Sequence, residues 1–387
     1  MNFTPTEKLL RKIVSFQTVT GDHQKTEALF DFLKKELRGL PLFITHEKFG
    51  GYPSLLITTQ KTKKPTLWLC SHVDVVPGER EQFTLQEKGR RLYGRGAYDM
   101  NFATAAYLKL LQKLGKKISE YDFGIMLTSD EEVGGFYGVN QLVKKGYRSK
   151  VAVVPDEGKD LNLNIASKGV WHLTVSTTGV AAHASHSWKG RSATTELTSF
   201  LHEVYETLFR DEHAKKDHWH RTFNIGTLKG CEALNQIPDY AEAGIDIRTV
   251  SQEEFAEVEC AMEKMLKKYP HTKVKTKVQA SAFALSLENP YAQEYVRLKE
   301  KVTKKKHIPQ LCHGSCDARF FAEKGIPALV MIPTGAGEHG RKEWIDRKSL
   351  EQFEQILEMF VESVAKKDTT RRKGDAKFKK RKIETIG

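Results

Sequence analysis

Thr66-Leu67-Trp68-Leu69-Cys70 runs without a break into Ser71-His72-Val73-Asp74. A short apolar run bounded by polar residues reads as a buried strand. The same event recurs twice, where Phe123–Thr128 ends at Ser129-Asp130-Glu131-Glu132 and Val151–Val154 ends at Pro155-Asp156-Glu157. In an open α/β sheet, ligand sites collect outside the carboxyl ends of the strands. Three strands that each stop at histidine or acid therefore predict an α/β domain with its site at those ends.

Working outward, Thr6–Leu37 has helical spacing broken near Thr18–Asp22, and Ala103–Leu114 reads as a helix between the first two strands. The texture changes around Lys168. His172–Thr178 alternates like a half-exposed strand and Thr194–Phe209 is an amphipathic helix. Phe223–Leu228 and Ala241–Thr249 are strand-like, Glu253–Tyr269 is a second helix, and Thr272–Gln279 a closing strand. Strand, helix, two strands, helix, strand is the ferredoxin-like order. After Asn289 the α/β texture returns with helices at Tyr291–Val302 and Ala318–Lys324 and a buried strand at Ala328–Ile332. The expected organisation is a discontinuous catalytic domain of residues 1–167 and 285–365, an inserted α+β domain of 168–284, and a basic tail of 366–387.

The length of 387 residues is more than one core usually organises, which agrees with two domains. With 39% hydrophobic and 29% charged residues, disordered and collagen-like classes are excluded. No apolar run approaches the ~18 residues of a membrane span, and Met1–Phe16 lacks the uninterrupted apolar core of a signal peptide. Five cysteines without regular spacing argue against a disulfide framework, and Cys312 and Cys316 have no second pair to complete a structural zinc site. A reduced, soluble, cytoplasmic protein is expected. The net charge is +13, and residues 366–387 alone carry ten basic and three acidic side chains. That tail has little to bury and is expected to be disordered. It is chiefly a solubilising terminus, with nucleic acid or an acidic surface as the alternative partner.

Each polar cluster is weak evidence by itself, since a His-x-Asp pair is more often a surface hydrogen bond and adjacent acids are usually a solvated loop. Together they offer imidazole and carboxylate ligands from separate strands. His72 and Asp74 can supply a ligand imidazole whose other ring nitrogen is held by a carboxylate. A bridging carboxylate, further ligands on each side and one free carboxylate as base would make a two-metal hydrolase.

The motifs resemble those of the M20 family of dinuclear zinc hydrolases. They are Ser71-His72-Val73-Asp74-Val75-Val76-Pro77, Tyr93-Gly94-Arg95-Gly96-Ala97-Tyr98-Asp99-Met100 and Ser129-Asp130-Glu131-Glu132-Val133-Gly134. Gly179 to Ser185, Asn235-Gln236-Ile237-Pro238, Asp246-Ile247-Arg248, Gly314 to Arg319, and His339 followed by Glu343 continue the likeness in family order. The resemblance implies a mixed-sheet zinc-peptidase domain with an inserted ferredoxin-like lid and dimerisation domain, and so a homodimer. It implies two divalent ions, zinc first with cobalt or manganese as substitutes, bound by His72, Asp99 and Asp156 and by Asp99, Glu132 and His339. Asp74 would orient His72, Glu131 would be the general base, and His183 would support the oxyanion in the partner's site. Asn235 and Arg248 would hold a substrate carboxylate, with Gly314 and Ser315 as further donors. Two departures stand out. Asn101-Phe102 replace the usual Lys-Gly, and Asp156 takes a position often held by Glu, with Glu157 as its neighbour and competitor. Aspartate there leans toward dipeptidases and aminopeptidases. The implied activity is cleavage of a small peptide or N-acyl amino acid. An N-acyl-amino-acid deacylase is the first alternative, and a metal-binding scaffold with a nucleic-acid-binding tail is the second.

Overall fold

The computed structural model describes residues 3–213, 218–230 and 233–367. The expected tail therefore lies outside the described residues from 368 onward. The chain divides into two compact units. The first is Met1–Leu163, Leu287–Ile308 and Lys324–Gly387, and the second is Asn164–Ser286 with Pro309–Glu323.

In the first unit the strands lie in the order Phe43–Phe49, Tyr52–Thr58, Phe123–Thr128, Leu67–His72, Val151–Val154 and Ala328–Val330. The first three pair antiparallel. The rest pair parallel, with Leu67 opposite both Phe123 and Val151, and His72 opposite Thr128. Every residue of Leu67–His72 and Phe123–Thr128 is buried, the near-continuous apolar run expected of parallel strands covered on both faces. Trp68 lies opposite Gly124 in the parallel register. A Cβ at Gly124 would come within 2.2 Å of the Trp68 ring, so this strand needs glycine where its neighbour carries tryptophan.

The sequence break near Thr18–Asp22 separates the helices Pro5–Val14 and His23–Glu36, the second capped by Asp22, whose Oδ1 accepts from Lys25 N at 3.1 Å. Asn101–Leu114 buries Phe102 against Phe353 of the helix Arg347–Ala365, the ring centroids 5.3 Å apart. None of the helices among the described residues is long and apolar enough to cross a membrane.

The second unit carries strands Gly169–Thr178, Thr222–Lys229, Tyr240–Thr249 and Thr272–Ala280 with helices Ala193–Leu208 and Gln252–Leu266. The sheet order is Thr222–Lys229, Tyr240–Thr249, Gly169–Thr178, Thr272–Ala280, all antiparallel. Tyr240–Thr249 alternates buried and part-exposed residues along its length. Its inward Ala243, Ile245 and Ile247 pack with Leu197, Phe200, Val258 and Met262 from the two helices. Along the chain these main elements follow one another as strand, helix, two strands, helix, strand. Pro309–Glu323, which the sequence boundaries leave with the first domain, groups with the second because Gln310–Cys312 pairs parallel to Asn164–Ser167.

Candidate metal centre

The parallel register places the ends of three strands side by side, and the acids and histidine that follow them meet there. His72 is the last residue of its strand. Its Nε2 lies 3.0 Å from Asp99 Oδ1 and 3.4 Å from Asp156 Oδ1. His339 Nε2 lies 3.2 Å from Asp99 Oδ2 and 2.9 Å from Glu132 Oε2. Two groups with metal-ligand chemistry result, His72–Asp99–Asp156 and Asp99–Glu132–His339, each with its ligand atoms within 4.8 Å of one another. Asp99 belongs to both, one oxygen turned to each side. Asp156 is in the first group, and its neighbour Glu157 is in neither.

The acids around the two histidines set the electrostatics of the centre. Burial alone would lower the His72 pKa, yet Asp156, Asp74 and Asp99 hold it well above its ordinary value. The carboxylate of Asp99 raises His339 to about 9. Burial pushes Glu132 up to about 7, while His339 and His72 hold Asp99 well below the usual carboxylate range against the same effect. Imidazole nitrogens and carboxylate oxygens thus converge as one donor set. Such a set of imidazole and carboxylate groups would hold divalent cations with its imidazoles neutral. The residues fit the ions that the sequence implies.

Asp74 does more than the sequence shows. His72 Nδ1 bonds its backbone carbonyl at 2.9 Å, with the carboxylate oxygen at 3.5 Å. The carboxylate itself accepts from Glu131 N at 3.3 Å, Glu132 N at 3.2 Å and Thr20 Oγ1 at 3.0 Å. One buried acid thus orients the histidine and pins the turn carrying both glutamates. The side chain of Glu131 belongs to neither ligand group.

Glu343 is the residue whose role sequence reasoning missed, although its motif was visible. Its carboxylate, 2% exposed, accepts from the amides of Gly96 at 3.0 Å, Tyr98 at 2.9 Å and Asp99 at 3.1 Å, and from Arg95 Nη1 at 2.8 Å. Arg95 Nη2 in turn donates to the His339 carbonyl at 3.1 Å. The pair locks the loop bearing Asp99 to the loop bearing His339. Gly96, at φ +74°, makes the turn that directs these amides inward. Asn101-Phe102 leaves this loop intact, since Asn101 N bonds Gly96 O at 2.9 Å and opens the helix. In Glu343→Gln the added NH2 would face two of the four donors, since each carboxylate oxygen accepts from two. Metal affinity should fall roughly 10–100-fold, as for other groups that hold ligands in place. Chelator competition measures this, and an unchanged affinity would show that the loop holds itself.

The remaining expected site residues lie in the second unit. His183 is exposed, its Nδ1 2.7 Å from Ser185 Oγ. A short antiparallel pairing sets it opposite Gln236, and Ala184 N bonds Asn235 O at 2.9 Å, so the two motifs come together. Arg248 spends its fork on Asp246, with Nε–Oδ1 2.7 Å and Nη2–Oδ2 3.0 Å. Ser315, beside Gly314, accepts from Arg319 at 3.0 Å. Cys312 and Cys316 form no disulfide.

Residues 68–364 match the family described as Peptidase family M20/M25/M40. The chain belongs to that family. The M20 match extends to whole relatives. Carboxypeptidase G2 of Pseudomonas sp. (strain RS-16) is 26% identical over 88% of this chain and 84% of its own. Succinyl-diaminopimelate desuccinylase of Rickettsia akari is 27% identical over 80% of this chain and 87% of its own. Among solved structures, aminopeptidase PepT from Bacillus cereus superposes with a TM-score of 0.73 at 19% identity, covering 93% of this chain and 98% of that one. Membership in M20 makes the protein a hydrolase of C–N bonds from a metal-dependent family, and the neighbour bears out the mixed α/β fold.

Proposed function

We propose that the protein hydrolyses the peptide or N-acyl amide bond of a small, carboxylate-bearing substrate with the help of two divalent ions, zinc in the first place. The observation that carries this reading is Asp99, shared between two ligand groups. His72 and Asp156 would complete one site, and Glu132 and His339 the other. When bound, the ions polarise the scissile carbonyl and make water acidic enough to deprotonate near neutrality. Glu131, pinned through its amide to Asp74 yet outside both ligand groups, is the carboxylate left to take that proton and deliver it to the leaving amine. Asn235 and Arg248, whose Nη1 lies outside its pair with Asp246, suit the substrate carboxylate.

A deacylase is the second reading, supported by the desuccinylase among the relatives, whereas Asp156 favours a peptidase. The test sets dipeptides against N-acetyl, N-succinyl and N-carbamoyl amino acids, each with added zinc, cobalt or manganese. Hydrolysis of carboxylate-bearing amides that stops on chelation is expected. Failure on every such amide with all three metals would overturn the proposal.

A further inference from the structure

Asp130 stands two residues beyond the strand Phe123–Thr128 and directly before Glu131. It is fully buried, yet it belongs to neither ligand group. Four amides of the segment that follows end on this one residue. Its carbonyl accepts from Val133 N at 3.3 Å and Gly135 N at 2.8 Å. Its carboxylate oxygen Oδ2 accepts from Tyr137 N at 2.7 Å and Gly138 N at 3.0 Å. The carboxylate has room because residue 138 is glycine, where a Cβ would come within 2.2 Å of Oδ1. Oδ1 itself is buried and has no hydrogen-bond partner among the described residues.

The segment needs such a hub. Gly134 and Gly135 both have positive φ, +105° and +64°, and two such glycines in succession leave the backbone many other turns to adopt. Its apex reaches solvent, with Val133 and Tyr137 both exposed. At the near end Asp74 holds the amides of Glu131 and Glu132. At the far end Asp130 Oδ2 holds two amides, and the Tyr137 ring stacks on Tyr52 with centroids 5.4 Å apart and planes 12° apart. Glu131 lies between these anchors and outside both ligand groups. Ions bound to those groups would therefore not fix its carboxylate, and the backbone of the turn sets where it stands. Displacing a reacting group by about 1 Å can cost on the order of 10²-fold in rate.

We propose that Asp130 is a positioning residue for Glu131, its buried carboxylate closing the turn that carries the base. This rests on the hydrolytic reading above, in which Glu131 takes the proton from water. The role needs an acceptor at Oδ2 and no charge, because Oδ1 engages no donor. The amide oxygen of asparagine, with two lone pairs, can accept from both Tyr137 N and Gly138 N.

Asp130→Asn, Asp130→Ser and Asp130→Ala test it on an amide that the unaltered protein cleaves, with hydrogen exchange of the full chain read without substrate. Asp130→Ala should lower kcat roughly 10²-fold, with KM and metal content unchanged. Asp130→Asn should keep the kcat of the unaltered protein, and Asp130→Ser should fall between, its hydroxyl being shorter. Peptides covering residues 131–138 should exchange faster in the Ala and Ser variants and at the native rate in Asp130→Asn, while those covering Leu67–His72 stay protected. A native kcat in Asp130→Ala would overturn the proposal. So would an Asp130→Asn as slow as Asp130→Ala, since charge would then be the active feature, or a loss of metal that matches the loss of kcat. Should Asp130→Ala not fold, Asp130→Ser decides by the same readouts. Failure of the unaltered protein on every amide would overturn the hydrolytic reading. Unchanged exchange over 131–138 in the Ala or Ser variant would overturn the role of Asp130 whatever the substrate.

Discussion

Glu131→Ala should lower turnover by roughly 10²–10⁴-fold, the range for loss of a positioned acid–base group, while the purified protein keeps its full complement of metal. Glu132→Ala should lose turnover and metal together. The two residues are adjacent and their amides bond the same Asp74 carboxylate, so backbone disturbance is shared and the difference reports on the side chains. Glu132 stands 2.9 Å from His339 within a ligand group, and Glu131 in neither. Metal analysis beside single-substrate kinetics decides the matter. A missing ion in Glu131→Ala, with Glu132→Ala fully loaded, would reverse the assignment.

Activity should reappear when two inactive proteins are mixed. If the protein is a homodimer in which His183 serves its partner, each site takes Glu131 from one chain and His183 from the other. Glu131→Ala homodimers lack the base in every site. His183→Ala homodimers lack the oxyanion support, a loss on the order of 10²–10³-fold. In a mixed dimer one site has both groups intact. Equal mixing with free exchange makes half the dimers mixed, so about a quarter of the native rate should return. His183 is exposed in the second unit and its Nδ1 is occupied by Ser185, which leaves Nε2 as the donor for such a role. Native mass spectrometry confirms exchange. Mixed dimers no faster than the separate mutants would mean that His183 acts within its own chain or outside catalysis.

What the sequence determined was the part governed by local pattern. Apolar runs such as Phe123–Thr128 and Val151–Val154 are strands at the boundaries read from composition, because two-sided burial demands uninterrupted apolar residues. The period-two alternation of Tyr240–Thr249 likewise reveals a one-sided sheet. Phe43–Phe49 escapes such reading because it is an outer strand with mostly exposed side chains and no apolar pattern. Arg347–Ala365 was legible in its helical spacing of Leu350, Phe353, Ile356, Leu357 and Phe360, yet carried no motif to draw attention. The same motifs named the residues gathered at the metal centre.

Only the tertiary structure decided how those residues act on one another. Parallel register brings strand ends separated by tens of residues to one edge, and no local rule states which oxygen of Asp99 faces which histidine. The division of Asp74 between carbonyl and carboxylate, the approach of Asp156 to His72, and the closure of the Asp99 loop by Arg95 and Glu343 are contacts across the fold. Each is a buried polar group finding its partner, and burial follows from the packing of the whole chain.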